Sequence, residues 1–173
     1  GDAWQQALQV LCQMRRVGVE TNIISHGATI SACEKGGSWS NAFELLCETC
    51  TSGLQANVVL CSAAISACKD GALWGRALSL LREAQQVLIE ANVVTYSAVI
   101  SACEKDGVWQ QAMLALFELS RTSLCPDAVA CGAAVSACGR GEAWQQALAL
   151  LASMRGLALE ADVTVYTAAI SAC

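Results

Sequence analysis

Apolar residues return along the chain at two alternating helical spacings. In one kind of segment they fall at i, i+4 and i+7, as in Cys61, Ile65 and Cys68 or Tyr96, Ile100 and Cys103, which places them on one face of a helix. In the other kind they fall at i, i+3, i+4, i+7 and i+10, as in Trp74, Ala77, Leu78, Leu81 and Ala84, behind a glycine-marked turn such as Gly36-Gly37. The alternation has a fixed period. Trp4, Trp39, Trp74, Trp109 and Trp144 are spaced 35 residues apart, as are Cys33, Cys68, Cys103, Cys138 and Cys173. Two antiparallel helices per period predict αα-hairpins stacked into an all-α solenoid, with Trp39, Trp74 and Trp109 in equivalent, largely buried sites. Counted from Ile23, complete units span 23–57, 58–92, 93–127 and 128–162, and 1–22 and 163–173 are partial units of one continuous array. Alanine at unit position 10 (Ala32, Ala67, Ala102, Ala137, Ala172) lets neighbouring helices approach closely. Both ends fall inside units without a polar capping helix, so a fragment of a longer array is expected.

Composition narrows the class. With 55% apolar and 14% charged residues the 173-residue chain is not disordered. The charge-free stretch 49–68 is long enough to span a bilayer, but Gly53, Gln55, Asn57 and its serines and threonines argue against it, and no membrane association is expected. A net charge of −5 has the wrong sign for binding polyanions by bulk charge, so a nucleic-acid partner would have to be met by local placement. The periodic cysteines read as reduced core residues, because helices of neighbouring hairpins stack roughly 8–10 Å apart, beyond the reach of a disulfide.

Other chemistry is thin. Cys47 and Cys50 form a CxxC, and Cys12, Cys61, Cys125 and Cys131 are further thiols off the period. The single histidine, His26, takes the place of Tyr96 and Tyr166 in other units, so burial in the hairpin core accounts for it and no metal or other cofactor is expected. No nucleophile is paired with a histidine and no glycine-rich phosphate loop occurs, so this stretch is not expected to be an enzyme. A catalytic domain further along the full-length protein stays open.

The phrase from Asn92 through Val93-Val94-Thr95-Tyr96-Ser97-Ala98-Val99-Ile100-Ser101-Ala102-Cys103 to Glu104-Lys105-Asp106-Gly107, followed by Ala112-Met113, resembles the pentatricopeptide repeat family, and the likeness runs the length of the chain. A tetratricopeptide array would have 34-residue units with Trp and Leu-Gly early in the first helix and a closing Pro. Here Trp opens the second helix, and the one proline is Pro126. The alternative of a protein-binding scaffold that holds an extended peptide in the concave groove remains, as do other protein partners. The resemblance implies a right-handed superhelix that binds single-stranded RNA, one base per unit, in organellar RNA processing, stability, editing or translation. A chloroplast or mitochondrial location is likewise an implication of the family.

The residues can be weighed beside the resemblance. Unit positions 2, 5, 9 and 12 lie roughly 120° round the first helix from the 4/8/11 face and carry its polarity. Position 9 is Ser31, Ser66, Ser101, Ser136 and Ser171; position 5 is Gly27, Ser62, Ser97, Gly132 and Thr167. The last position is always Asn or Asp: Asn22, Asn57, Asn92, Asp127 and Asp162. Helix capping is one explanation for that restriction. The resemblance offers another, in which positions 5 and 35 contact one base and position 2, here Ile24, Val59, Val94, Val129 and Thr164, packs on the base face. The asparagine amide matches the ring acceptor of adenine or cytosine, and the acceptor-only aspartate matches the ring N–H of guanine or uracil. In the family a small hydroxyl at position 5 goes with purines. Units 23–57 to 128–162 then read A-A-G-G, 5′ to 3′ from the N-terminus, with the glycine units contributing no side-chain bond. A cation closes each first helix, Lys35, Lys69, Lys105 and Arg140. The resemblance makes these phosphate contacts, although Lys69 is one position early and Asp70 takes the usual place. The helix dipole is the plain alternative.

Overall fold

The computed structural model describes residues 3–52, 57–70, 73–86, 91–122 and 124–173, with the backbone alone for Asp70. Among them all regular structure is helical. The first helices of the hairpins are α2 (Ile23–Lys35), α4 (Val58–Asp70), α6 (Val93–Lys105), α8 (Ala128–Arg140) and α10 (Val163–Ser171). The second helices are α1 (Ala3–Arg16), α3 (Trp39–Thr51), α5 (Trp74–Gln86), α7 (Trp109–Arg121) and α9 (Trp144–Gly156).

The packing order explains the shape. Each first helix packs against the first helix before and after it, so α2, α4, α6, α8 and α10 form a continuous row. Each second helix packs on the next first helix and, from α3 on, on its own partner, while second helices meet one another only loosely, as where the Arg76 guanidinium of α5 lies 5.0 Å over the Phe43 ring of α3. A close inner row with a splayed outer row curves the array into a solenoid whose first helices line the concave side.

The buried set follows the predicted faces and adds to them. Tyr96, Ile100 and Cys103 in α6, and Cys61, Ile65 and Cys68 in α4, lie in the core. Ala77, Leu81 and Ala84 of α5 are buried, and so is Leu80, which the spacing did not single out. Trp39, Trp74 and Trp109 share one environment, partly buried against the core, as does Trp4, whereas Trp144 is 48% exposed. They sit at the starts of second helices, where the outer row is open on both sides. At two turns an indole edge bears directly on a glycine. Trp4 lies against Gly36 and Trp109 against Gly141, each glycine belonging to the next unit, where even a β-carbon would collide with the indole. One residue later the chain turns through a left-handed conformation, at Gly37 (φ 66°), Gly107 (φ 63°) and Glu142 (φ 55°).

A buried polar junction ties the first three helices. His26 Nδ1 is 2.9 Å from Thr49 Oγ1, which itself donates to the Leu45 carbonyl at 2.7 Å. Thr49 must therefore accept from the histidine, leaving His26 Nε2 as acceptor for Arg15 Nη2 at 3.2 Å. Arg15 in turn pairs with Glu48 at 2.8 Å. Tyr96 and Tyr166 take the same place in their units and accept from Gln85 (3.1 Å) and Arg155 (3.3 Å) on the preceding second helix.

Candidate nucleic-acid interface

The last residue of each unit starts a helix. The first amides of a helix have no partner within it, and a side-chain oxygen just ahead supplies one. Asn22 Oδ1 accepts from the Ile24 and Ser25 amides at 3.1 and 2.9 Å, and Asn57 Oδ1 from Leu60 at 3.0 Å. Asn92 Oδ1 accepts from the Thr95 amide and hydroxyl, both at 2.9 Å. Asp127 Oδ1 accepts from Ala130 at 2.7 Å, and Asp162 Oδ1 from Val165 at 2.9 Å and the Thr164 hydroxyl at 2.6 Å. Capping is thus present at every unit end, and it has a second effect. With Oδ1 committed to the helix, an asparagine can turn only its Nδ2 donors outward, and an aspartate only its second oxygen. The bond that starts the helix fixes what the residue offers to anything in the groove.

Beside this polar row runs an apolar one. Ile24, Val59, Val94 and Val129 are 60–75% exposed, one per unit, and Thr164 continues the row in polar form. Ordinary packing does not leave a β-branched side chain in water at the same place in successive units.

Position 5 is less open than the helical wheel implies. Ser62 and Ser97 are buried, Gly27 and Gly132 are half-buried, and Thr167 is exposed. The reason is the continuous inner row, in which neighbouring first helices cover a second stripe of each other. The same packing buries Ser101 and half-buries Ser31, Ser66 and Ser136. Ser97 Oγ lies 2.8 Å from the Val93 carbonyl and 3.3 Å from Asp127 Oδ1, so the fifth and last residues of that unit meet directly. In the preceding unit Ser62 and Asn92 meet through Thr95, whose hydroxyl lies 2.6 Å from Ser62 Oγ. Nothing in the sequence spacing pointed to Thr95.

Residues 44–106 match the pentatricopeptide repeat domain and residues 94–121 match the PPR repeat. Residues 44–121 are thus pentatricopeptide repeats. The chain's fold resembles the pentatricopeptide repeat protein PPR10 from maize, with a TM-score of 0.79 and 24% identity over 98% of this chain and 24% of that one. PPR10 in complex with an 18-nt psaJ RNA element matches at 0.79 and 20% identity, over 99% of this chain and 26% of the other. The PPR domain of Arabidopsis thaliana protein-only RNase P 1, in complex with tRNA, matches at 0.81 with 12% identity over 95% and 86% of the two chains. This chain therefore spans about a quarter of the length of the maize protein. No curated protein sequence matches it.

Charge is distributed unevenly over the pentatricopeptide repeat surface. Lys35, Lys69, Lys105 and Arg140 are exposed and lie in the last turns of α2, α4, α6 and α8, where a cation suits the helix dipole. Arg140 also donates to the Lys105 carbonyl at 3.3 Å, tying one helix end to its neighbour. This row stands about 15–16 Å along the helices from the exposed apolar row, ten residues on in α4 and eleven in α2, α6 and α8, at about 1.5 Å each. Hydrogen bonds from the Thr164 hydroxyl and the Val165 amide hold the Asp162 carboxyl below its ordinary range, so it stays an acceptor at neutral pH. Among the described residues no group of three or more Cys, His, Asp or Glu could hold a metal ion, and no helix is long and apolar enough to cross a membrane.

Proposed function

We propose that this pentatricopeptide repeat protein binds single-stranded RNA in its concave groove, one base per unit, as a factor in RNA processing, stability, editing or translation in a chloroplast or mitochondrion. The observation that carries the reading is the pair of parallel rows along the first helices, one of exposed apolar side chains and one of unit-end residues whose outward group is fixed by capping. Neighbouring helices in such an array are roughly 8–10 Å apart, against about 3.4 Å between stacked bases in a helical strand. A strand in register with the units must therefore open its stack, and Ile24, Val59, Val94 and Val129 fill the gaps. The relatives of known structure support the reading as proteins crystallised with RNA. Pentatricopeptide repeats are typically non-catalytic, and the activity assigned to this array is binding.

The base assignments follow from the outward groups. Asn57 and Asn92 present donors, suited to adenine, and Asp127 and Asp162 present acceptors, suited to the guanine ring N–H. The units from 23–57 to 128–162 then read A-A-G-G, with Lys35, Lys69, Lys105 and Arg140 facing phosphates. Replacing Asp127 by Asn tests this. Titration of the 173-residue chain against AAGG-core and AAAG-core oligonucleotides at fixed salt should show the preference at the third base moving from G towards A by about tenfold, the scale of one hydrogen bond to a charged group. Val94→Ala should weaken both complexes alike, because every base has a face to stack on. An unchanged G/A ratio in Asp127→Asn with RNA affinity intact would reduce the unit-end residues to caps.

A further inference from the structure

The third residue of each unit stands between the two side chains that the RNA reading assigns to the unit before it. Its backbone amide donates to the capping side chain of the last residue, Leu60 to Asn57, Thr95 to Asn92, Ala130 to Asp127 and Val165 to Asp162, at 2.7–3.0 Å. Its side chain bears on the fifth. A β-carbon on Gly27 would stand 3.1 Å from Leu60 Cδ2, and one on Gly132 would stand 3.0 Å from Val165 Cγ2. Carbon atoms pack best at about 3.5–4.0 Å, so these two junctions favour glycine. At the next junction Thr95 brings a hydroxyl, 2.6 Å from Ser62 Oγ. Ala130 stops at its β-carbon, and there Ser97 reaches Asp127 directly at 3.3 Å. All four third residues are buried, so their influence on a strand in the groove is exerted through these partners.

The correlation has a physical cause. A branched apolar side chain in the junction disfavours anything larger than glycine at position 5, and a hydroxyl or a methyl admits serine. Thr95 does more than leave room. With its hydroxyl proton on Asn92 Oδ1 at 2.9 Å, the single Ser62 proton is shared between Thr95 at 2.6 Å and the Val58 carbonyl of its own helix at 2.7 Å. Amide and hydroxyl together hold Asn92 Oδ1 inward and so turn its Nδ2 towards the groove.

We propose that Leu60, Thr95, Ala130 and Val165 determine the specificity of the units that precede them, by setting which residue position 5 can hold and whether that residue joins the unit-end side chain in one hydrogen-bonded pair. The inference rests on the RNA reading above. Thr95 acts as a positioning residue, and Leu60 and Val165 confine their units to recognition by the asparagine or aspartate alone.

The experiment measures binding of the 173-residue chain to AAGG-core and AGGG-core oligonucleotides at fixed salt, with folding of each variant checked by thermal melting. Thr95→Val keeps the shape and removes the hydroxyl, and Thr95→Ser keeps the hydroxyl. Thr95→Val should lower the A:G ratio at the second base by about three- to tenfold, and Thr95→Ser should retain it. A second arm moves the Ser62/Thr95 pair to the first junction. Gly27→Ser alone should lower stability and affinity, and Gly27→Ser with Leu60→Thr should recover both with stronger choice of A at the first base. A wild-type A:G ratio in Thr95→Val, or Gly27→Ser tolerated without the change at Leu60, overturns the proposal. Should Thr95→Val fail to fold, the second arm decides. If Asp127→Asn shifts base choice and Thr95→Val does not, the RNA reading stands and this inference falls; if the chain binds no RNA, both fall.

Discussion

Replacing Thr49 by Val preserves the shape of the contact between α2 and α3 but removes the hydroxyl that accepts the His26 Nδ1 proton. No rearrangement of the imidazole repairs the loss. With the proton on Nδ1 the N–H has no acceptor; with it on Nε2, a hydrogen faces the Arg15 guanidinium and the Nδ1 lone pair has no donor. His26 is fully buried, so water does not substitute. An unsatisfied buried polar group costs about 1–3 kcal/mol, which in a chain of this size is roughly 2–12 °C in Tm. Because contacts in the array link only neighbours, the loss should be local: hydrogen exchange should report faster opening of α2 and the adjoining parts of α1 and α3, with α8 unchanged. The same junction titrates. Burial first, then the neighbouring Arg15, lowers the pKa of His26 below 6.5, with Glu48 opposing. A base with a depressed folded pKa contributes its full stability above 6.5 and loses it as pH falls towards the folded value, since the unfolded chain binds the proton more readily. No other histidine competes in that range. His26→Tyr, borrowing the residue found at Tyr96 and Tyr166, should abolish the slope. Stability that stays flat in the wild type between pH 7.5 and 5.5, or a slope that survives in His26→Tyr, refutes the assignment, as does equal loss of protection in α2 and α8 on Thr49→Val.

Two other expectations follow from the fold. Cys68, Cys103 and Cys138 are buried with thiol pKa values pushed up to about 11, so alkylation at neutral pH followed by mass spectrometry should mark the exposed Cys12, Cys50 and Cys125 first and reach the core thiols only on unfolding; rapid native labelling of Cys68 and Cys103 would mean the helix faces are misassigned. Glu142 adopts in its turn the left-handed backbone that Gly37 and Gly107 adopt in theirs, so Glu142→Gly should raise stability in a urea melt by about 0.5–1 kcal/mol, and a loss of that size would show that the glutamate side chain stabilises the turn.

The period, the helix pairs and the deeply buried faces were legible because a repeat exposes the same spacing several times over. Ile65, Cys68, Ile100 and Cys103 could be assigned to the core from one helical wheel. What the wheel does not show is how many neighbours a helix has. Ser62, Ser97 and Ser101 lie well round from the apolar face, yet they are buried because each first helix is flanked by two others. The period does not show either that Trp144, which repeats the place of Trp39, Trp74 and Trp109, is 48% exposed while those three pack against the core. In the candidate site, capping and base contact first stood as rival explanations of Asn22, Asn57, Asn92, Asp127 and Asp162. The geometry makes them compatible, because capping occupies one side-chain atom and leaves the other. Thr95 was hidden for a different reason: its partners Ser62 and Asn92 belong to the preceding unit, so an alignment of units with one another never sets it beside them.

The capping bonds also bear on how such an array can change over time. A residue that must start a helix is drawn from a short alphabet, Asn, Asp, Ser and Thr above all, and departures from it cost about 0.5–2 kcal/mol in stability. Every unit end in this chain stays within that alphabet, at Asn22, Asn57, Asn92, Asp127 and Asp162. Exchange between Asn and Asp keeps Oδ1 on the helix and replaces an outward donor by an outward acceptor. It reverses the polarity of the exposed group in a single residue step while the fold hardly registers it. Drift towards an apolar residue is resisted by the helix itself, whatever occupies the groove. The inner surface of the solenoid can therefore vary one unit at a time without passing through unfolded intermediates, and the range of that variation is bounded by helix initiation.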